Sequence, residues 1–166
     1  MGSFKLPSPT AFLESVFAGL KDVGFYEVSM NLPIDHICYR VVSVEDYERA
    51  KATLLQDHEL LAETLINGRP IATFKLREPL LYGQRQIPLL ELPSPKVGSP
   101  YPEGYEHAEF VIGRSPAEWI TAYPALSWDT KGIQKSVNAD ARLLLPGGIS
   151  VKYHEYPLDY VIRYLD

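Results

Sequence analysis

A chain of 166 residues with a formal charge of −5, 46% hydrophobic and 22% charged, has the balance of one ordinary globular domain or of two small similar halves sharing a core. Acids and bases are mixed along it, and no run approaches the roughly 18 apolar residues of a bilayer-spanning helix, so neither nucleic acid nor membrane is an expected partner. The single cysteine, Cys38, excludes an intrachain disulfide and the N-terminus lacks a signal-peptide pattern, so the expected location is the cytoplasm.

In chain order, Ser8-Pro9 opens a helix whose apolar positions Phe12, Leu13, Val16, Phe17 and Leu20 recur at helical spacing, and Gly24 ends it. This helix, over 8–24, reads as a packing element outside the site. After Leu32-Pro33, the stretch Asp35-His36-Ile37-Cys38-Tyr39-Arg40 reads as a strand with His36, Cys38 and Arg40 on one face. Ser43 caps a helix through Tyr47, Ala50 and Leu54, with Glu45 and Asp46 favourably placed at its positive end. His58, beyond that helix, is expected in solvent. Strands over Glu59–Ile66 and Ile71–Leu76 flank the turn signal Asn67-Gly68, and Tyr82-Gly83-Gln84 turns the chain into a strand over Ile87–Leu92 that bears Glu91. Pro93 to Gly104, rich in proline, reads as a linker.

The second half retraces the first. A strand carrying His107 and Glu109 on one face is followed by Ser115-Pro116-Ala117-Glu118, a capping box that opens a helix bearing Trp119, Ile120 and Tyr123. Strands are expected near Gly132–Val137, over Arg142–Leu145 and, after Pro146-Gly147-Gly148, over Ile149–His154. The offsets are 71 residues from His36 to His107, 72 from Ser43 to Ser115 and 71 from Asn67 to Asn138. The reading is therefore an α+β fold of two tandem β-α-β-β-β modules, 33–93 and 105–156, in a single domain with a tail over 157–166.

A half made of one helix and a short antiparallel sheet cannot cover its own polar sheet face, so two halves create a shared cleft in which the repeated histidines meet. Imidazole and carboxylate suit a divalent ion such as zinc, nickel, iron or manganese. His36, His107 and Glu91 are the first candidate ligands, since Glu91 interrupts an otherwise apolar run. Parity on the last strand puts Ser150, Lys152 and His154 on the cleft side, making His154 a fourth ligand candidate. Lys152 and Arg40 are candidates to bind an anionic substrate group, although Arg40 can instead pair with a neighbouring acid. Glu109 is assigned to proton transfer, with metal ligation or support of a ligand as the other roles open to it. Cys38 reads as a small buried hydrophobe.

DHICYRV, EHAEFVI and ISVKYHEYPLDYVIRYL resemble the YecM-like proteins of the vicinal oxygen chelate superfamily, the glyoxalase-like fold. The resemblance runs over nearly the whole chain, including the N-terminal helix. It implies a U-shaped mixed sheet around a metal, with ligands on the first and last strands of each module: His36, Glu91 and His107, with the last-strand position open. That superfamily usually has a glutamate there, where this chain offers Lys152 or His154. The implied activity is that of a metal-dependent isomerase, lyase or oxygenase acting on a small oxygen-rich molecule. The alternative is a non-catalytic binding protein whose cleft is walled by Tyr39, Tyr82, Tyr101, Tyr105 and Tyr153. Pairing of two chains into a homodimer is a further expectation.

Overall fold

The computed structural model describes residues 3–98 and 101–165, so Ser99 and Pro100 of the expected linker, and the chain ends, lie outside the described residues. Helix α1 (Thr10–Asp22) buries Leu13, Val16, Phe17 and Leu20 against the sheet. Pro9 rather than Ser8 takes the cap position, while the Ser8 hydroxyl accepts the Thr10 N–H. A short helix α2 (Tyr26–Ser29), which the apolar spacing did not signal, leads into β1 (Ile34–Arg40). Module one continues with α3 (Val44–Asp57), β2 (Glu59–Ile66), β3 (Arg69–Tyr82) and β4 (Arg85–Pro93). Module two runs β5 (Gly104–Val111), α4 (Pro116–Ala122), β6 (Trp128–Asp129), β7 (Asp140–Leu144) and β8 (Ser150–His154). Both helix caps form as expected: the Ser43 hydroxyl accepts the Asp46 N–H and the Ser115 hydroxyl accepts the Glu118 N–H.

One difference concerns residues 131–137. The expected strand there is a 3-10 turn over Lys131–Gln134, and the strand proper is the two-residue β6. Asp129 starts the turn by accepting the Lys131 N–H at 3.0 Å, and Lys135 is drawn down onto the buried Asp140 carboxylate at 2.7 Å, so the segment coils instead of extending. The equivalence of the halves persists beyond it: Asn67 and Asn138, 71 residues apart, both hold a φ of 52°. His58 lies at the surface and is partly exposed, its Nδ1 accepting the Arg77 N–H in an exposed hydrogen bond.

All eight strands form one mixed sheet in the order β2-β3-β4-β1-β5-β8-β7-β6. Each module contributes four neighbours, β1 pairs in parallel with β4 and β5 with β8, and the modules meet where β1 runs antiparallel to β5. Laid flat, eight strands spaced about 4.8 Å would hold their outer edges roughly 34 Å apart. Thr64 and Ile66 of β2 and Asp129 of β6 nevertheless line one cavity of about 590 Å³, so the sheet curls into a U. Its convex face packs on α1, α3 and α4 through Ile37, Phe74, Leu90, Phe110, Val151 and Tyr153, all fully buried. The concave face carries the polar residues. The C-terminal segment, a turn of helix α5 (Leu158–Tyr160) followed by a π-helical turn over Val161–Leu165, supplies Leu158, Val161 and Ile162 to one wall of the cavity.

Candidate metal centre

The two histidines arrive on the central strands of the sheet, in equivalent positions of the two modules. His36 pairs across the β1–β5 junction with Glu109, and Cys38 pairs with His107. On the outer side of each central strand the register sets Glu91 beside Cys38 and Lys152 beside Glu109. Cys38 and Glu109 are themselves 71 residues apart, so Lys152 stands in module two where Glu91 stands in module one.

Both central strands carry a bulge just before the histidine. Along the β1–β5 ladder, Ile34 faces Phe110 and His36 faces Glu109, which leaves Asp35 unpaired; Cys38 faces His107 and Tyr39 faces Tyr105, which leaves Glu106 unpaired. An extra residue breaks the alternation of faces, so the acid and the histidine that follows it project on the same side. Ile34 and Ile37 consequently both reach the core, three residues apart, and so do Tyr105 and Ala108. Each acid then meets the inner nitrogen of its own histidine: an Asp35 oxygen lies 3.1 Å from His36 Nδ1, and Glu106 Oε2 contacts His107 Nδ1. A carboxylate behind an imidazole fixes its tautomer and aims the other nitrogen outward. Neither acid was a candidate from its own residue type; the signal in the sequence was the acid-histidine pair repeated at an interval of 71.

The outer nitrogens converge on Glu109. His36 Nε2 is 3.2 Å from Glu109 Oε2 and His107 Nε2 is 3.3 Å from Glu109 Oε1. Glu91 stands just outside this group, with one oxygen 4.0 Å from His36 Nε2 and the other 3.7 Å from His107 Nε2. Both Nε2 atoms are buried without a hydrogen-bond partner among the described residues. Donors that share an ion in a tetrahedral shell, each about 2.0–2.2 Å from it, lie about 3.3–3.6 Å from one another. The donor spacings here match that range closely for Glu109 and somewhat loosely for Glu91. Charge points the same way. With neutral imidazoles, the four carboxylates of Asp35, Glu91, Glu106 and Glu109 outnumber the two cations within ion-pair distance of them among the described residues, Arg40 and Lys152, and Arg142 acts on Glu106 only from farther away; a divalent ion between the imidazoles would offset the excess locally.

Without an ion, protons take that role. Burial pushes the His36 imidazole down, but Glu109 and Asp35 outweigh it and raise its pKa well above the usual histidine value. Burial likewise opposes charge on His107, and Cys38, Glu106 and Glu109 together reverse the effect. Burial raises the Glu109 carboxyl, yet His36, Lys152 and His107 hold it well below the carboxylate range; Glu106 is pulled to about 2 by His107 and Arg40 against the same burial.

The remaining candidates sit around this core. His154 lies on the cleft side of β8 as its parity predicts, but its Nε2 turns to Asp35 at 3.0 Å and stands 3.6 Å from Glu109 Oε2. It therefore groups with Asp35 and His36 rather than with the set of His36, His107 and Glu109. Asp35 also accepts the Leu158 N–H at 2.7 Å, which ties the C-terminal wall to the histidines. Arg40 pairs with Glu106 at 3.4 Å and lies over the Tyr101 ring. Lys152 extends its ammonium to 3.7 Å from Glu109 Oε1. Cys38 is buried beside His107 and shares a possible donor group with it and Glu106. None of the five tyrosines proposed as aromatic walls lines the cavity: Tyr39 and Tyr153 are in the core, Tyr105 bonds the Pro7 carbonyl, and Tyr82 faces a groove on the opposite side.

Comparison with known proteins places the chain in a family. A model of the family described as YecM protein matches residues 7–156, a span that holds every residue of the centre. The protein YecM of Escherichia coli strain K12 is 31% identical over 146 residues, covering 79% of this chain and 77% of that protein. An uncharacterized protein of Haemophilus influenzae is 33% identical over 103 residues, 61% of this chain and 50% of its own length. The solved structure of a structural-genomics protein, EC4020, superposes with a TM-score of 0.66 at 26% identity, covering 99% of this chain and 100% of that one. No helix among the described residues is long and apolar enough to cross a membrane. The chain belongs to the YecM family.

Proposed function

We propose that this protein is a metal-dependent enzyme of the vicinal oxygen chelate type, acting on a small oxygen-rich molecule, with a divalent ion held by His36, His107 and Glu109 and completed by Glu91. One observation carries the reading: two buried imidazole nitrogens, from equivalent strands of two modules, lie within 3.3 Å of one carboxylate and have no hydrogen-bond partner among the described residues. The paired modules meeting at β1 and β5 support the superfamily assignment.

When bound, the ion would polarise a carbonyl or enolate oxygen of the substrate. The protein's own groups supply the rest. Asp35 and Glu106 orient the imidazoles from behind, and the apolar wall of Leu158, Val161 and Ile162 limits water on one side. Of the two carboxylates able to move a proton, Glu91 is the more accessible, 21% exposed against 6% for Glu109, so Glu91 is the base and Glu109 a permanent ligand.

Metal analysis of protein purified without chelator or nickel resin tests this. About one equivalent of a transition metal is expected, lost in both His36→Ala and His107→Ala. Substoichiometric metal that neither substitution changes would refute the proposal, and tight small-molecule binding that survives a chelator would favour a non-catalytic binding protein.

A further inference from the structure

Charge is distributed unevenly between the cavity and the rest of the chain. The protein has 16 lysines and arginines against 21 aspartates and glutamates, yet seven of those cations and only five of those acids line the 590 Å³ cavity. Away from Glu106 and Glu109 on the central strand, the outer wall of module two over residues 129–152 is basic, with Lys131, Lys135, Arg142 and Lys152 against Asp129 and Asp140. Asp129 and Asp140 are already engaged, by Arg142 at 3.3 Å and Lys135 at 2.7 Å. Lys131 has no ion pair among the described residues. Lys152 has one ion-pair contact among the described residues, Glu109 at 3.7 Å, beyond hydrogen-bond length, with Asp140 and Glu91 acting on it from farther away. Once Glu109 serves a metal, the Lys152 charge faces the open cavity beside it.

From this juxtaposition we infer that the cavity binds a small organic oxyanion, a carboxylate or phosphate carried on a short apolar skeleton, with Lys152 as its anchor and Lys131 and Lys135 as an outer guide. The oxygen donors of such a molecule would lie next to the metal centre, and its skeleton would meet Ile71, Val137, Leu158 and Val161 across the cavity. Lys152 holds this position because it replaces, in module two, the carboxylate that Glu91 provides in module one. This inference rests on the function proposed above and names its substrate class; the outer cations Lys131 and Lys135 line the cavity whether or not metal is present.

Isothermal titration of the full chain, as purified and after addition of metal, with malonate and with inorganic phosphate at low ionic strength, is the test. Saturable binding of at least one anion is expected. Preference for malonate assigns the carboxylate class and preference for phosphate the phosphoryl class. Lys152→Met should weaken binding about tenfold or more, the loss expected for a charge-assisted hydrogen bond, while the metal content stays unchanged. The double variant Lys131→Ser/Lys135→Ser should weaken binding about threefold at low salt and flatten its dependence on salt. Should Lys152→Met lose its circular dichroism signature, the double variant carries the test. The inference is overturned if neither anion binds below 10 mM, a limit of roughly −2.7 kcal/mol, or if the folded variants bind as tightly as the parent. Binding that persists in His36→Ala and His107→Ala after metal is lost would uphold an anion site independent of the metal, whereas a parent protein that binds the anion but whose metal content neither substitution changes would keep this inference and remove the metal reading.

Discussion

Asp35→Asn isolates the part of the site that aims the nitrogens proposed to bind metal. Asp35 is 5% exposed and touches three groups: His36 Nδ1 at 3.1 Å, His154 Nε2 at 3.0 Å and the Leu158 N–H at 2.7 Å. Asparagine has the same shape, and its amide oxygen can keep the Leu158 N–H. Its NH2 group then faces the two imidazoles, where a carboxylate oxygen bonds His154 Nε2 and lies 3.1 Å from His36 Nδ1. An imidazole N–H cannot donate to an amide N–H, so the favoured His36 tautomer becomes the one with the proton on Nε2, the nitrogen needed by the metal. Losing a supporting carboxylate of this kind costs about 10–100-fold in metal affinity, or about 1.4–2.7 kcal/mol. Tautomer inversion places Asp35→Asn at the upper end of that range, and Glu106→Gln, which acts on His107 in the same way, should fall within it. Competition against a chromogenic chelator measures both. The metal-free melting temperature serves as a control, since roughly 2–4 °C is lost per kcal/mol in a chain of this size. Metal affinity of Asp35→Asn within twofold of the parent, with the fold intact, would refute the orienting role of the bulged acids.

Three further outcomes follow from particular contacts. In the metal-free protein His36 and His107 have raised pKa values, so the folded state binds more protons than the unfolded one above pH ~6.5; their stabilisation is complete below that pH and disappears as pH rises through the raised values. Melting curves should show apo stability falling over that window, while metal affinity, which requires deprotonated imidazole, rises across it. Gly132→Ala would place a Cβ against both Asp140 side-chain oxygens, so about 1–3 kcal/mol of stability should be lost and the contact of Lys135 with Asp140 displaced, read by thermal melting and by anion titration. Tyr153→Phe leaves the buried Ser29 hydroxyl without its 2.7 Å partner, costing about 1–3 kcal/mol in chemical denaturation with metal content unchanged; no loss would mean that Ser29 finds another partner.

What could be read directly was whatever repeated or alternated. The offset of 71 residues marked His36 and His107 as equivalents, the serine caps marked both module helices, and strict alternation on the last strand put Lys152 and His154 on the cleft side, where they are found. What escaped depends on contacts between strands distant in sequence. A bulge is a mismatch between partners, so the turning of Asp35 and Glu106 toward their histidines becomes visible only when β1 is laid against β5. The equivalence of Glu91 and Lys152 was hidden similarly, because the shorter closing hairpin of module two breaks the constant offset and leaves only strand register to reveal it. The coil at Lys131–Gln134 and the use of the C-terminal tail as a cavity wall rest on single side chains, Asp140 and Asp35, reaching across the fold.

The departures from exact repetition make the centre balanced. Two identical copies of module one would bring Cys38 and Glu91 twice, and two copies of module two would bring Glu109 and Lys152 twice; either pairing supplies two carboxylates and two histidines. The first would set two buried thiols against the imidazoles, and the second would put two ammonium groups beside the ion. The mixed chain instead takes one carboxylate from each half, Glu91 from an outer strand and Glu109 from a central one, and they close on the same pair of nitrogens at 3.2–4.0 Å. One thiol remains packed in the interior and one ammonium faces the cavity. Under the readings proposed above, the divergence of the two halves would give them different roles: neutralisation of a dication would be shared, while attraction for an anionic partner would fall to the outer wall of module two, where Lys131, Lys135, Arg142 and Lys152 gather.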